Sequence, residues 1–136
     1  MIKFTIAFML LLVIEDTYSQ ERVWIKLAAT PDKAWDAMRY NSPEGTRAKL
    51  WLRKGAKEIL YHDSTGMEIK LVDGIEISLN EFECEKGLYR MLNISDYNSA
   101  GKLVRKKYIY IWDQKWIEIK LGSGSIADKM FNCACK

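Results

Sequence analysis

The chain has 136 residues, of which 49% are hydrophobic and 29% are charged, and its formal net charge is +3. This length suits one domain with one continuous core. The small positive excess favours attraction to anionic cell surfaces or sulfated glycans, but it falls short of the dense basic surface of a nucleic-acid-binding protein. We therefore expect no nucleic-acid partner.

The first predicted element is a signal peptide over residues 1–19. Lys3 supplies the positive start, and residues 4–14 form an uncharged, mostly apolar stretch. This stretch is well short of the roughly 20 residues that cross a bilayer. Thr17 and Ser19 place small residues where a signal peptidase reads, which predicts cleavage after Ser19. Residues 20–136 would then form a single secreted, extracellular domain.

A strand and a short helix are predicted next. Apolar and polar residues alternate over residues 22–27, which is typical of a half-buried strand. Thr30 is a suitable N-cap and Pro31 fits a first helical position, so a helix is predicted over residues 31–39.

The following strand carries the first candidate ligand surface. Over residues 47–54, one face collects small and aliphatic residues, and the opposite face collects Arg47, Lys49, Trp51 and Arg53. An exposed tryptophan between cations can stack on a sugar ring or lie at a lipid headgroup. Lys49, Trp51 and Arg53 are therefore candidate binding residues. The alternative is that Trp51 packs under a loop and the charges only aid solubility.

Residues 58–62 predict another strand, and residues 67–79, "MEIKLVDGIEISL", predict a hairpin. Its apolar positions share one face only if the loop is Val72-Asp73-Gly74, where Gly74 would supply the left-handed residue. In the next strand, Glu81, Glu83 and Glu85 lie opposite Phe82 and Cys84 and predict a solvated face.

Asn93-Ile94-Ser95 matches the N-glycosylation pattern. If the pattern is used, Asn93 lies at the surface and the protein is a glycoprotein.

The last strands come from "YIYIWDQKWIEIKL", residues 108–121, read as a hairpin around residues 113–115. A two-residue turn would mix its aromatic and aliphatic side chains on one face. A three-residue loop would instead separate an aliphatic side that faces the core from an aromatic side that is partly exposed to solvent. In that register four aromatic residues form a second candidate ligand surface: Tyr108, Tyr110, Trp112 and Trp116.

Three cysteines follow the signal, which predicts one disulfide bond in an oxidising compartment. Cys133 and Cys135 are separated only by Ala134, and so small a ring would be strained. Cys84 is therefore expected to pair with Cys133 or Cys135. The remaining thiol is either buried and inert, or forms a disulfide-linked homodimer.

Signs of catalysis are weak. His62 is the single histidine, no zinc-ligand spacing is present, and no glycine-rich phosphate loop follows a strand. We expect a protein that is not an enzyme and that binds no metal or cofactor.

Together, the short strands predict a mainly β protein: an antiparallel, jelly-roll-like sandwich or a barrel, with one short helix near residues 31–39. "RKKYIYIWDQKWIEIKLGSG" and "MEIKLVDG" resemble stretches of the secreted β-domain named for farnesoic acid O-methyltransferase, which implies a β-module without methyltransferase activity. "IKLAATPDKAWDAM" is similar to the opening of the START-like helix-grip fold, which implies a lipid cavity.

The sequence thus favours a secreted binding protein that acts without catalysis. Its expected partner is an extracellular glycan, a protein or a membrane surface. A venom or salivary effector and a small lipid carrier are the two alternative functions.

Overall fold

The structure is a computed structural model that describes residues 23–40 and 44–136. The predicted signal peptide, residues 1–19, and its cleavage after Ser19 lie outside the described residues. Within the described part, no helix combines the length and the apolar character needed to span a membrane. The described elements are seven strands and one α-helix: β1 Ile25–Ala29, β2 Lys33–Arg39, β3 Arg47–His62, β4 Glu68–Glu83, β5 Leu88–Tyr97, β6 Leu103–Tyr108, β7 Ile117–Glu118 and α1 Ile126–Cys135.

The strands form one antiparallel sheet in the order β1-β2-β3-β4-β5-β6, and β7 also pairs with β5. The predicted mainly β, antiparallel fold is confirmed, and the sheet is not closed into a barrel. From β1 to β6, consecutive strands are neighbours in the sheet, and several of the connections are short turns. Between β5 and β6, for example, the Asn98 side chain accepts hydrogen bonds from the Ala100 and Lys102 amides, each at 3.0 Å.

The helix predicted over residues 31–39 is wrong, because these residues form β2. Thr30 closes the β1–β2 turn instead of capping a helix: its amide donates to the Lys33 carbonyl at 2.7 Å, and its hydroxyl accepts from the Lys33 amide at 3.1 Å. As a strand, the segment buries Ala37 completely and directs Asp36 to the other face, where it pairs with Arg53. The α-helix of the described chain lies at the C-terminus, where the Ser125 hydroxyl caps it.

The core lies between α1 and one face of the sheet, which we call the helix face. Phe82 and Leu50 are fully buried there, and the Phe82 ring meets Phe131 of the helix edge-on at 6.5 Å between centroids. A disulfide joins Cys84 to Cys135 and confirms one of the two predicted pairings. It fastens the last turn of α1 to the end of β4, while Cys133 remains a free, half-buried thiol.

The hairpin predicted over residues 67–79 is also wrong. β4 runs through this segment without turning, and the connection from β3 lies at residues 63–67. The Asp63 carboxylate closes that turn by accepting from the Thr65 and Met67 amides at 2.9 and 3.0 Å.

The Val72-Asp73-Gly74 segment bends β4 instead of reversing it. Asp73 has a φ of 53°. A Cβ atom on Gly74 would lie 3.1 Å from the Ile59 Cδ1 atom. Close packing therefore favours glycine at this position, and Gly74 itself has no positive φ.

Beyond this bend, residues 58–62 and 68–72 pair with each other as a two-stranded extension, which we call the ribbon. In a flat sheet, Tyr61 would lie roughly 20 Å from the row of residues that contains Lys54 and Arg105. The Arg105 guanidinium nevertheless lies 4.6 Å from the centre of the Tyr61 ring. The ribbon is thus folded back toward β6.

Neither register proposed for residues 108–121 occurs, because β6 and β7 do not pair with each other. Tyr108 pairs with Asn93, and Ile117 pairs with Tyr89, both along the same edge of β5. The two strands are consecutive parts of one interrupted edge strand, and the residues between them leave the sheet as a loop.

The loop closes on itself through local hydrogen bonds. Ile111–Asp113 form a 3-10 turn, and the Gln114 side-chain amide donates to the Ile109 carbonyl at 2.8 Å. A tight hairpin here would favour a left-handed residue, whereas the residues between Tyr108 and Ile117 all have negative φ. The edge of β5 provides the backbone hydrogen-bond partners that β6 and β7 would have provided for each other in the predicted hairpin.

Candidate functional site

The face of the sheet opposite the helix face holds the predicted basic strand, and we call it the Trp51 face. Along the row that contains Trp51, Met38 of β2, Leu79 of β4 and Asn93 of β5 lie side by side. The alternation predicted for residues 47–53 is confirmed, since Ala48 and Leu50 are buried on the helix face. This face thus brings side chains from separate strands around one tryptophan.

A shallow cup with a volume of about 260 Å³ opens on this face. One wall is apolar and aromatic, and the other is polar. The cup is lined by Trp24, Met38, Trp51, Ile77, Asn93, Ser95, Tyr97 and Lys106.

Both tryptophans of the cup contact neighbouring side chains, and Trp24 contacts a charged one. The Arg53 guanidinium lies 4.4 Å from the centre of the Trp24 ring. Asp36 accepts a hydrogen bond from Arg53 at 3.1 Å, which fixes the position of the guanidinium. Such a cation–π contact stabilises the orientation of the indole.

Trp51 is supported in a similar way by Tyr40, whose ring lies 6.0 Å away at a tilt of 55°. The Lys49 ammonium lies 5.4 Å from the centre of the Tyr40 ring. Of the three residues predicted on this strand, Trp51 therefore lines the cup, and Lys49 and Arg53 support its aromatic wall.

The polar wall comes from β5 and β6. The lining residues on this side carry an amide in Asn93, a hydroxyl in Ser95 and an ammonium group in Lys106. A hydrogen bond and charge interaction with Tyr108 raise the pKa of Lys106, so its ammonium keeps a positive charge at neutral pH. The wall therefore carries an amide and a hydroxyl, each able to donate and to accept hydrogen bonds, and a cation.

Asn93 is at once the predicted glycosylation residue and part of the cup. It lies within β5, between Leu79 of β4 and Tyr108 of β6, and Ser95 of the same triplet is buried. Glycosylation stays a prediction. A glycan attached at Asn93 would fill the cup.

The acidic row predicted to be solvated is buried for two of its three members. Glu81 and Glu83 are each only 8% exposed. Arg90 pairs with Glu81 at 2.6 Å, and Arg47 pairs with Glu83 at 3.3 Å. The sequence pattern could not reveal this burial, because the partner arginines come from β3 and β5.

Trp116 joins this charge cluster instead of the other predicted aromatic residues. The guanidinium groups of Arg90 and Arg47 lie 4.3 and 5.3 Å from its ring centre. The remaining three, Tyr108, Tyr110 and Trp112, are exposed near the loop between β6 and β7. The four aromatics do not form the single surface that the three-residue register predicted.

Metal-binding and nucleophilic groups are not assembled in the described residues. No group of three or more His, Cys, Asp or Glu side chains is placed to hold a metal ion there. His62 is exposed at the end of β3. Burial raises the pKa of the Cys133 thiol, which disfavours the reactive thiolate.

Sequence reasoning found Trp51 and missed most of the cup. Trp24, Met38, Ile77, Tyr97 and Lys106 come from five different segments, and only the strand order brings them together. Comparison of the chain with protein-family models, with curated proteins and with solved structures found no match.

Proposed function

We propose that this protein is a secreted binding protein that holds a carbohydrate residue in the Trp51 cup and performs no catalysis. The observation that carries the proposal is the pairing of an aromatic wall with a polar wall across one open cup. An indole can stack on the apolar face of a sugar ring, while amide, hydroxyl and ammonium groups bind its hydroxyls.

The size of the cup supports a small ligand. Its volume of about 260 Å³ lies just below the range of roughly 300–1,000 Å³ that is usual for ligand pockets. A single sugar ring, such as the terminal residue of a longer extracellular glycan, suits this volume better than a lipid chain. The venom or salivary effector and the lipid carrier stay predictions from the sequence.

A glycan array with the secreted chain tests the proposal. We expect binding by the wild type and a loss of about thirtyfold in affinity for Trp51→Ala, since a buried aromatic anchor dominates a small interface. Trp112→Ala is the matched control, because it removes the same side chain from an exposed site outside the cup. Circular dichroism would verify that both variants are folded.

Two results would contradict the proposal. One is that the wild type binds no glycan on the array. The other is that Trp51→Ala binds as strongly as the wild type. Intact mass before and after glycosidase treatment gives an independent check, because it shows whether Asn93 carries a glycan. Such a glycan would block the cup that the ligand needs.

A further inference from the structure

The loop between β6 and β7 exposes a group of apolar side chains that the cup does not use. Tyr108 is 63% exposed, Tyr110 65%, Ile111 75% and Trp112 74%. We call these four residues the aromatic tip. Single exposed apolar residues are ordinary, whereas several large ones within five consecutive residues mark an interaction site.

The tip is preformed. The Tyr110 and Trp112 rings stack nearly parallel, with 4.9 Å between centroids and 3° between planes. The Asp113 amide donates to the Tyr110 carbonyl at 2.8 Å, and the Ile109 amide donates to Leu92 of β5 at 2.9 Å. A partner would therefore meet the apolar side chains in place, with little ordering cost at the loop.

The segment of chain that carries the tip is strongly basic. Residues 101–121 contain six basic and two acidic residues, a net charge of +4, which exceeds the +3 of the whole chain. Within the described part of the chain, the five lysines of this segment are exposed and none forms an ion pair with a carboxylate: Lys102, Lys106, Lys107, Lys115 and Lys120.

We propose that the aromatic tip docks this protein onto the surface of a membrane that contains anionic lipids. Tryptophan and tyrosine favour the headgroup region, where the ring is half in hydrocarbon and its polar atom stays wet. Ile111, between them, would reach the acyl boundary. Each nearby lysine adds electrostatic attraction to an anionic bilayer.

The lysines favour a lipid surface over a protein partner. Aromatic residues are enriched in both kinds of interface, but lysine is depleted from protein–protein interfaces. Lysine side chains beside a membrane can instead lay their methylene groups along the apolar boundary and place the ammonium among the headgroups. Charge and apolar exposure therefore point to the same partner.

Docking would also orient the carbohydrate site. Lys106 lines the cup, and its ammonium lies 5.1 Å from the centre of the Tyr108 ring at the base of the tip. The cup and the tip are thus adjacent, and a docked molecule would hold the cup close to glycans on the same cell surface. The docking itself does not depend on carbohydrate binding.

Vesicle flotation tests the proposal with the secreted chain, whose N-terminus is verified by mass spectrometry so that residues 4–14 cannot bind lipid themselves. Vesicles of phosphatidylcholine alone are compared with vesicles that contain about 30 mol% phosphatidylserine. We expect binding to the anionic vesicles, weaker binding to the neutral ones, and a decrease as salt screens the lysines.

Two double variants separate the apolar and the electrostatic contributions. Ile111→Ser with Trp112→Ser, and Lys107→Glu with Lys115→Glu, should each reduce binding to anionic vesicles by more than about tenfold. Neither pair lines the cup. Leu60→Ser with Val72→Ser is the control, because these ribbon side chains are 58% and 61% exposed and belong neither to the tip nor to the cup. Trp51→Ala should bind vesicles as the wild type does.

Several outcomes would overturn the proposal. They are the absence of binding to both kinds of vesicle, equal binding to neutral and anionic vesicles, and unchanged binding by the double variant Ile111→Ser with Trp112→Ser. Loss of binding in the ribbon control would indicate nonspecific adhesion and would also overturn it. If only Trp51→Ala loses vesicle binding, the cup and not the tip holds the lipid.

Discussion

At the scale of single residues, the sheet contains a buried cluster of charged side chains around Asp96. Asp96 is fully buried, and its Oδ2 atom accepts from the Arg105 Nη2 and Nε atoms at 2.6 and 2.7 Å. Its Oδ1 atom has no hydrogen-bond partner among the described residues. On the neighbouring strand, the Glu76 carboxylate lies 3.7 Å from the Lys54 ammonium.

Burial raises the pKa of Glu76 above its usual 4.5, and the neighbouring Asp96 carboxylate adds to the increase. A proton on Glu76 would provide the donor that the Asp96 Oδ1 atom lacks. The folded protein therefore holds this proton more tightly than the unfolded chain does. The resulting stabilisation is present below about pH 4.5 and is lost as the pH rises through the folded-state pKa.

Glu76→Gln tests this linkage, because glutamine cannot ionise. We expect the free energy of unfolding of the variant, relative to wild type, to increase from pH 4 to pH 8. Urea unfolding at several pH values measures it. Glu58→Gln on the exposed ribbon is the comparison, and a larger pH effect there than at position 76 would contradict the assignment.

At the scale of elements, the bend in β3 and β4 decides the shape of the sheet. Both strands are 16 residues long. They pass from the sheet into the ribbon at paired positions, with Ala56 opposite Gly74. The bend places Tyr61 on Arg105 and so covers part of the buried charge cluster around Asp96. Because Gly74 has no side chain, Ile59 and Leu71 can pack closely at the bend.

Two glycines at the bend give a matched prediction. Gly74→Ala would place a methyl group 3.1 Å from Ile59 Cδ1 and 3.2 Å from Leu71 Cβ, and should lower the free energy of unfolding by about 1–3 kcal/mol. Gly55→Ala meets no atom within 4 Å and should be neutral or stabilise by up to about 1 kcal/mol. Chemical denaturation measures both. Equal effects would show that close packing does not explain Gly74.

At the scale of the whole molecule, the C-terminal helix and the sheet depend on each other. α1 supplies Met130, Phe131 and Ala134 to the core, and the Cys84–Cys135 bond closes a loop with a sequence separation of 51 residues. By the chain-entropy argument, such a crosslink stabilises by about 4 kcal/mol. A helix of ten residues would be marginal on its own.

Removal of the disulfide should therefore weaken the whole fold. Cys84→Ser with Cys135→Ser is expected to lower the free energy of unfolding by about 2–4 kcal/mol. Cys133→Ser, which leaves the bond intact, should cost less than about 1 kcal/mol. Guanidinium titration with fluorescence detection compares them. A similar loss in both variants would mean that packing of α1, and not the crosslink, stabilises the tail.

The sequence by itself determined the features that depend on local alternation and on simple chemical elimination. Period-two patterning predicted a mainly β chain and the two faces of residues 47–53, and ring strain between Cys133 and Cys135 left Cys84 as the partner. These predictions needed no knowledge of which strands are neighbours.

Only the tertiary structure decided the features that depend on strand partners. The same alternation fits a turn or a bend at residues 72–74, and a helix or a strand at residues 31–39. Glu81 and Glu83 became buried because arginines on two other strands neutralise them. The cup likewise exists only because strand order gathers Trp51, Lys106 and the other lining residues on one face of the sheet. Local propensity could not settle these choices, since the energies that select among them come from contacts far apart in the chain.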